Sequence, residues 1–243
     1  ITLWCNKKIV MKSIIKVFIL LGFFLLISCN PKMVYQKPII SNPDLITKEN
    51  LPTIKIPLKV VNDTSFVNLK DYSQDFVYDM KYATTDNFLK AKVYDCAACY
   101  LRFKTVKAMM KANEKFMEKG YKIKIFDCYR PLDIQKKMWA IVSNPEYVAN
   151  PSKGSIHNRG GAIDISLVDK NGNELDMGTK FDFFGIEASH NYDKLPKNVL
   201  SNRKLLKKIL LRYNFKSFDS EWWHYNLKNA KLDPLSNFKW KCD

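Results

Sequence analysis

Histidine is scarce in this chain, and two of its three histidines stand near other groups that can bind a metal ion. His157 lies in a glycine-bearing segment seven residues before Asp164. Glu221 lies three residues before His224. Two imidazoles and a carboxylate can hold a catalytic zinc ion with a fourth position open for water, and a second carboxylate can then move the proton of that water. The sequence therefore indicates a metal-assisted hydrolase with candidate ligands His157, Asp164 and His224 and candidate base Glu221.

A further candidate is Arg130, which falls between a predicted strand and a predicted helix. Its permanently charged guanidinium could stabilise the oxyanion formed at an attacked carbonyl, or it could simply pair with Asp127. The histidines also have a structural alternative, because a histidine beside glycine often has no catalytic role. On a regular strand Glu221 and His224 would point to opposite faces, so a bulge or turn is needed to bring them together.

The elements that must position these groups follow from hydrophobic periodicity. Helices are predicted at 105–119, from Pro131 onward, and at 199–213. Strands are predicted at 121–126, at 162–168 and in the aromatic segment that ends at Tyr225. Because helices and a few strands are mixed along the chain, the predicted class is α+β, a small antiparallel sheet with flanking helices.

The amino-terminal part of the chain predicts secretion and lipidation. Lys12 and Lys16 precede an apolar run at 17–27, which is short for a membrane span and ends just before Cys29. This segment resembles the lipobox of bacterial lipoproteins, which implies that Cys29 becomes the lipidated first residue. An uncleaved anchor with an incidental cysteine is the alternative.

These features give a predicted domain organisation and location. We predict a signal peptide at 1–28 (with 1–10 an upstream extension before Met11), a lipidated tether at 29–57 and a zinc-peptidase domain at 58–243. The expected location is the cell envelope, with the lipid as the membrane anchor. The formal net charge is +16, but the lysines are scattered and no nucleic-acid motif occurs, so no nucleic-acid partner is expected.

Four cysteines lie in the predicted catalytic domain, at Cys96, Cys99, Cys128 and Cys242. An oxidising envelope favours disulfides, but four thiols allow three pairings and the sequence does not choose among them. The Cys96–Cys99 spacing is also that of a zinc knuckle, although no second pair of this kind follows. The pairing therefore stays open at the level of sequence.

Five segments together resemble one known family. They are Tyr-Arg-Pro at 129–131, Ser-x-His-x-x-Gly-x-Ala-x-Asp at 155–164, Glu-Trp-Trp-His at 221–224, Lys-Tyr-Ala-Thr-Thr-Asp-Asn-Phe at 81–88 and Met-Gly-Thr-Lys-Phe-Asp at 177–182. The segments resemble those of the D-alanyl-D-alanine dipeptidases of the VanX type. That family shares its fold with zinc D,D-carboxypeptidases and with the amino-terminal signalling domain of hedgehog proteins.

The resemblance implies one zinc ion per chain and a role for each matching residue. The implied zinc ligands are His157, Asp164 and His224, with Glu221 as general base and then acid and Arg130 steadying the oxyanion. The implied substrate contacts are Asp182 at the ammonium group, Tyr82 in the pocket wall and Ser155 near the carboxylate. Cys128 stands where related sequences usually have a small residue, so it could pair with another cysteine or tune the pocket.

The implied function is hydrolysis of D-Ala-D-Ala, or of a similar small D,D-dipeptide, in cell-wall peptide turnover. The alternatives are a zinc D,D-carboxypeptidase that trims peptidoglycan stems and a non-catalytic lipoprotein that binds wall peptide. Asp182 favours the dipeptidase, because a carboxylate at the amino-terminal side selects substrates with a free ammonium group; Asp182 could instead be a helix cap or turn residue. The oligomeric state is left open.

Overall fold

The computed structural model describes residues 61–242. The predicted signal peptide, Cys29 and the tether at 29–57 lie outside these residues, so those features stay predictions. Within 61–242, no helix combines the length and the apolar character that crossing a membrane requires.

Seven strands and three α-helices form the regular structure of residues 61–242. The strands are β1 (Phe66–Asn68), β2 (Val77–Tyr78), β3 (Tyr100–Arg102), β4 (Tyr121–Asp127), β5 (Ala162–Asp169), β6 (Phe215–Phe218) and β7 (Glu221–Leu227). The helices are α1 (Phe103–Met117), α2 (Leu132–Ile141) and α3 (Lys197–Arg212). All three predicted helices and the predicted strands occur, and the predicted aromatic strand is the second strand of the β6–β7 hairpin.

Five of the strands form the sheet that carries the site. Their order is β2-β4-β5-β7-β6, and β1 pairs with β3 in a separate two-stranded sheet. Every pair is antiparallel except β2–β4 at one edge. The α+β class and the small antiparallel sheet are therefore confirmed, and a parallel edge strand is added, which at two residues is too short to show a periodic pattern.

Helix α1 anchors the sheet through the apolar stripe that its spacing predicts. Val106, Met109 and Phe116 are fully buried in the main core, together with Ile123 and Ile125 of β4. Burying such side chains stabilises the fold by about 1.5–3 kcal/mol each relative to leaving them exposed. The core thus fixes β4 against α1 and leaves the carboxyl end of β4 to lead into the site.

Two disulfides settle the cysteine pairing that the sequence left open. Cys96 pairs with Cys242, and Cys99 pairs with Cys128. The zinc-knuckle interpretation of Cys96 and Cys99 is therefore wrong, because each thiol is bonded to a distant cysteine. The second disulfide joins the residue before β3 to the residue after β4, directly beneath the predicted site.

Candidate active site

The register of the sheet brings Asp164 and His224 side by side. They are partners on the adjacent strands β5 and β7, and side chains of directly opposed residues share one face. On the other side of β5, the register shifts by one residue between Ile125 and Asp127, so that Asp127 becomes the partner of Asp164. Three polar side chains therefore lie across three neighbouring strands.

His157 enters from a short 3₁₀ turn, His157–Arg159, that leads into β5. Gly160 ends this turn with φ at 72°, a conformation that glycine adopts without steric cost. A Cβ atom at this position would lie 2.5 Å from the Phe66 ring and 3.1 Å from the backbone nitrogen of Arg102. The turn can therefore reverse the chain only through glycine, and it points His157 at the end of the sheet.

The three predicted ligands converge. His157 Nε2 lies 3.3 Å from Asp164 Oδ2, and His224 Nδ1 lies 2.9 Å from Asp164 Oδ1. The two imidazole nitrogens are 3.2 Å apart. All three candidate ligand atoms fall within 4.8 Å of one another, and His157 and Asp164 are buried.

The outer hydrogen bonds of both imidazoles fit a metal site. His157 Nδ1 donates to the Cys128 carbonyl oxygen at 2.6 Å, and His224 Nε2 donates to Asn226 Oδ1 at 3.0 Å. Each ring therefore turns its other nitrogen towards Asp164, and in the neutral ring that nitrogen carries a lone pair. Two lone pairs and a carboxylate this close together repel one another unless a proton or a cation lies among them, and hydrogen bonds of this kind are usual around metal-bound imidazoles.

The pKa values of Asp164 and His224 also indicate that the cluster attracts positive charge. Burial alone would raise the pKa of Asp164, but the charge on His157 and the hydrogen bonds from both imidazoles hold it well below its ordinary value. Burial alone would lower the pKa of His224, yet its hydrogen bond and charge interaction with Asp164 raise it to about 9. The cluster therefore favours a positive charge, which a proton on His224 can supply.

Glu221 reaches the cluster because β7 is irregular. Ser217 pairs with Tyr225, whereas Phe218 pairs with Glu221, so three extra residues of β7 bulge out between these pairs. The bulge removes the strict alternation of a strand and brings Glu221 Oε2 to 3.9 Å from His224 Nδ1. Burial raises the pKa of the Glu221 carboxyl, against the opposing effect of His224. The bend that the sequence required is thus present.

Arg130 forms the ion pair with Asp127 that was considered for it, and its role at an oxyanion stays a prediction. Its guanidinium pairs with Asp127 at 2.7 Å and donates to Gln135 Oε1 at 2.9 Å. It nevertheless lines the same cavity as the cluster, and its Nε has no hydrogen-bond partner among the described residues. The pair with Asp127 therefore fixes the guanidinium while leaving a donor free.

The predicted substrate contacts lie in the same place. The Tyr82 hydroxyl lies 3.1 Å from both carboxylate oxygens of Asp182. Burial, reinforced by the charge of Asp164, raises the pKa of Asp182 well above its ordinary value. Asp182 also has φ at 59° and lies in a turn. The turn position considered as an alternative for this residue is therefore present, and its side chain still faces Tyr82. The buried Ser155 Oγ has no partner among residues 61–242.

All eight site residues predicted within the described part of the chain line one cavity of about 260 Å³. They are Tyr82, Arg130, Ser155, His157, Asp164, Asp182, Glu221 and His224. Typical pockets for drug-sized ligands occupy about 300–1,000 Å³. The cavity therefore suits a small ligand.

Comparison with known proteins gives the family. The family model described as D-ala-D-ala dipeptidase matches residues 62–240. The chain is 36% identical to the D-alanyl-D-alanine dipeptidase of Escherichia coli, over 74% of this chain and 93% of that protein. It is 30% identical to the enzyme of the same name from Enterococcus faecium, over 72% of this chain and 96% of that protein. The chain belongs to the D-Ala-D-Ala dipeptidase family. The Enterococcus faecalis enzyme of that name is 28% identical, over 72% of this chain and 98% of that protein.

For this member of the D-Ala-D-Ala dipeptidase family, the outer hydrogen bonds of the site were not predicted from the sequence. Asn226 could have been found, because on a strand it lies two residues beyond His224 and so on the same face. The Cys128 carbonyl has no sequence signal, since any residue supplies a carbonyl. Asp127 appeared only as a partner for Arg130, but it also accepts from the Tyr94 hydroxyl at 2.7 Å and from the Cys128 backbone N–H at 2.9 Å.

Proposed function

We propose that this enzyme hydrolyses D-Ala-D-Ala, or a similar small D,D-dipeptide, with one zinc ion held by His157, Asp164 and His224. The observation that carries the proposal is the convergence of two imidazole lone pairs and a carboxylate in a small cavity that also contains Glu221. Relatives that carry the dipeptidase name align with nearly the whole described region. Two imidazoles and one carboxylate are a common ligand set of catalytic zinc.

When bound, zinc supplies a water of lowered pKa and polarises the scissile carbonyl. Glu221 accepts the proton of the attacking water and then delivers it to the leaving amine. Its raised pKa suits this role, because a base works best when its pKa lies near the working pH. Arg130, held by Asp127, donates to the oxyanion that develops on the attacked carbonyl.

The two ends of the substrate meet different groups. Asp182 and Tyr82 receive the ammonium group, since a buried carboxylate with one neutral hydroxyl partner gains most from a cation. Ser155 Oγ donates to the substrate carboxylate, which provides the partner that the hydroxyl otherwise lacks. A contact with the free ammonium group selects a dipeptide over a longer chain, and this disfavours the carboxypeptidase alternative.

We also propose that the enzyme works in the cell envelope, anchored through a lipid on Cys29. Support within residues 61–242 comes from the two disulfides, which persist in oxidising compartments and are rare in the cytosol. Metabolic labelling with a radioactive fatty acid tests the anchor. Label on the wild-type chain that disappears in the Cys29→Ala variant is expected, and equal labelling of both would contradict it.

The activity is tested with the purified protein on three substrates, with and without a chelator. D-Ala-D-Ala should release D-alanine, whereas L-Ala-L-Ala and N-acetyl-D-Ala-D-Ala should be cleaved poorly. A chelator should stop the release, and added zinc should restore it. Preferential cleavage of the acetylated substrate would favour a carboxypeptidase, and turnover in chelator would remove the metal from the mechanism.

A further inference from the structure

An aromatic pair separates the catalytic cavity from a neighbouring groove. The rings of Tyr147 and Phe184 stack with centroids 4.2 Å apart and an interplanar angle of 25°. Tyr147 belongs to the loop after α2, and Phe184 belongs to the loop after Asp182. Both residues line the 260 Å³ catalytic cavity, and both also line a second space of about 470 Å³. The stacked rings, here called the partition, therefore form the aromatic part of the wall that the two spaces share, and Glu146 and Glu221 also belong to that wall.

The groove beyond the partition has an apolar wall of aromatic and aliphatic side chains, and it also carries the carboxyl groups of Glu146, Asp219 and Glu221. Phe183 and Ile186 contribute exposed apolar surface to it, with 43% and 73% of their surface accessible. Glu221 lines the groove as well as the catalytic cavity. A substituent that passed the partition would thus leave the atoms beside Glu221 and meet the apolar side chains of Phe183 and Ile186.

The partition lies on the amino-terminal side of the proposed substrate. Phe184 is two residues from Asp182, the proposed ammonium contact. The Phe184 ring also packs edge-on against Phe88 at 4.9 Å, and Phe88 packs against Tyr82 at 6.3 Å. Aromatic contacts therefore connect the partition to Tyr82, whose hydroxyl donates to Asp182. In the substrate orientation proposed above, the amino-terminal residue of the dipeptide is therefore the one nearer to the partition.

We propose that the Tyr147–Phe184 stack limits the size of the amino-terminal side chain of the dipeptide, and that the groove is a subsite for a larger apolar side chain there. This inference rests on the proposed dipeptidase function. In the wild-type enzyme the stack restricts this position to small side chains such as that of D-alanine. With either ring removed, the cavity joins the groove and D-leucine fits at the amino-terminal position.

The test compares kcat/KM for D-Ala-D-Ala, D-Leu-D-Ala and D-Ala-D-Leu in the zinc-loaded enzyme. Tyr147→Ala and Phe184→Ala should each raise the ratio of D-Leu-D-Ala to D-Ala-D-Ala by about 10-fold or more, the scale of discrimination that a hydrophobic pocket exerts over added methylenes. The ratio for D-Ala-D-Leu should not change. Adding Ile186→Asp to Tyr147→Ala should cancel the gain, because it replaces apolar surface that the leucine side chain would contact with a charged group.

Two controls separate the partition from general effects. Tyr147→Phe keeps the ring and should keep the wild-type ratio, and Leu232→Ala changes an apolar residue that is 85% exposed and lines neither space. Suppose that the wild-type enzyme hydrolyses D-Ala-D-Ala but neither Tyr147→Ala nor Phe184→Ala changes the ratio of D-Leu-D-Ala to D-Ala-D-Ala. This result would overturn the role of the partition and leave the proposed function standing. If the variants instead raised kcat/KM for D-Ala-D-Leu, the assignment of the partition to the amino-terminal residue of the substrate would be wrong. Absence of wild-type turnover would overturn the proposed function and this inference together.

Discussion

Three carboxyl groups of the site differ in pKa because their surroundings differ. Asp164 is held ionised by two imidazoles, which lower its pKa. Burial raises the pKa of Glu221 and of Asp182, and the nearby charge of Asp164 adds to both effects. One chemical group, the carboxyl, is therefore suited to three different roles proposed here, those of a permanent anion, a proton acceptor and a receptor for a cation, according to its neighbours.

Glu221→Gln tests the proton acceptor. The amide keeps the size of the side chain but cannot take up a proton, so kcat should fall by about 10²–10⁴-fold. Zinc content after gel filtration should match that of the wild type, because Glu221 is not among the proposed ligands. Glu118→Gln, a change at an exposed acid on the surface, is the matched control. Retained turnover in Glu221→Gln would remove this residue as the base.

Asp182→Asn tests the ammonium contact. A hydrogen bond to a charged group contributes about 1.5–3 kcal/mol, so kcat/KM for D-Ala-D-Ala should fall by roughly 10–150-fold. Inhibition by N-acetyl-D-Ala-D-Ala, which carries no ammonium group, should change little. Equal losses for both compounds would contradict the proposed role of Asp182.

His190 gives a pH effect that is separate from the metal cluster. Burial lowers the pKa of His190 from 6.5 to about 4, and the positive charges of Lys207 and Arg203 add to this effect. The negative charge of Asp219 opposes it. The unfolded chain takes up a proton below about pH 6.5 that the folded chain refuses, so stability is lost as the pH falls from 6.5 towards 4.

His190→Gln should therefore flatten the pH dependence of unfolding. The wild-type free energy of unfolding should fall with a slope steeper by up to about 1.4 kcal/mol per pH unit between pH 6 and 4.5. Urea unfolding of the metal-free proteins at several pH values measures the difference, and the groups of the cluster titrate equally in both. Parallel curves would show that His190 titrates normally.

Single residues were also the scale at which sequence reasoning worked best. His157, Asp164, His224 and Glu221 could be chosen because few side chain types bind zinc or move protons at neutral pH. Asn226, Tyr147 and Phe184 could not be chosen with the same force, because an amide or an aromatic ring has many uses. Their roles depend on neighbours that are distant in sequence and close only after folding.

At the scale of elements, the turn before β5 depends on glycine for two reasons that can be separated. Gly160 and Gly172 both have positive φ, at 72° and 85°, but an added Cβ would meet Phe66 and Arg102 only at Gly160. Gly160→Ala should therefore cost the strain of a left-handed alanine, about 1–2 kcal/mol, plus about 1–3 kcal/mol for the close contact. Gly172→Ala should cost only the first part.

Urea unfolding of the two glycine variants measures this difference. The turn before β5 also carries His157, so Gly160→Ala should reduce activity at temperatures where Gly172→Ala remains as active as the wild type. Equal destabilisation of the two variants would show that the close contact at Gly160 relaxes at no cost.

Periodicity predicted the helices and strands but not the interruptions that make the site. Residues 121–126 and 162–168 have the pattern of strands, and the structure has β4 and β5 there. The bulge of β7 that turns Glu221 towards His224 leaves no such pattern, because Trp222 and Trp223 are both buried. The need for a bend could be stated from the Glu-x-x-His spacing, whereas its form depended on pairing with β6.

At the scale of the whole described chain, the Cys99–Cys128 disulfide connects stability to the site. Its removal should lower the free energy of unfolding by about 2–4 kcal/mol. Because the Cys128 carbonyl orients His157, the Cys99→Ala, Cys128→Ala double variant should also bind zinc more weakly. Competition with a chromogenic chelator measures the zinc affinity.

The other disulfide is the matched control for this prediction. The Cys96→Ala, Cys242→Ala double variant loses a covalent link of the same kind, but neither cysteine contacts a proposed ligand. It should lose stability and retain its zinc affinity. Equal zinc affinities in the two double variants would show that the Cys128 carbonyl does not depend on its disulfide.

The Cys96–Cys242 link also closes a covalent ring around nearly all of the site, since these cysteines lie 146 residues apart. A protease that cut one exposed loop inside this ring would not release a fragment, because both pieces would remain joined through sulfur. Among the eight predicted site residues that line the cavity, only Tyr82 lies before Cys96 in the chain. The enzyme is therefore built to survive nicking as a single covalent unit for as long as its surroundings stay oxidising.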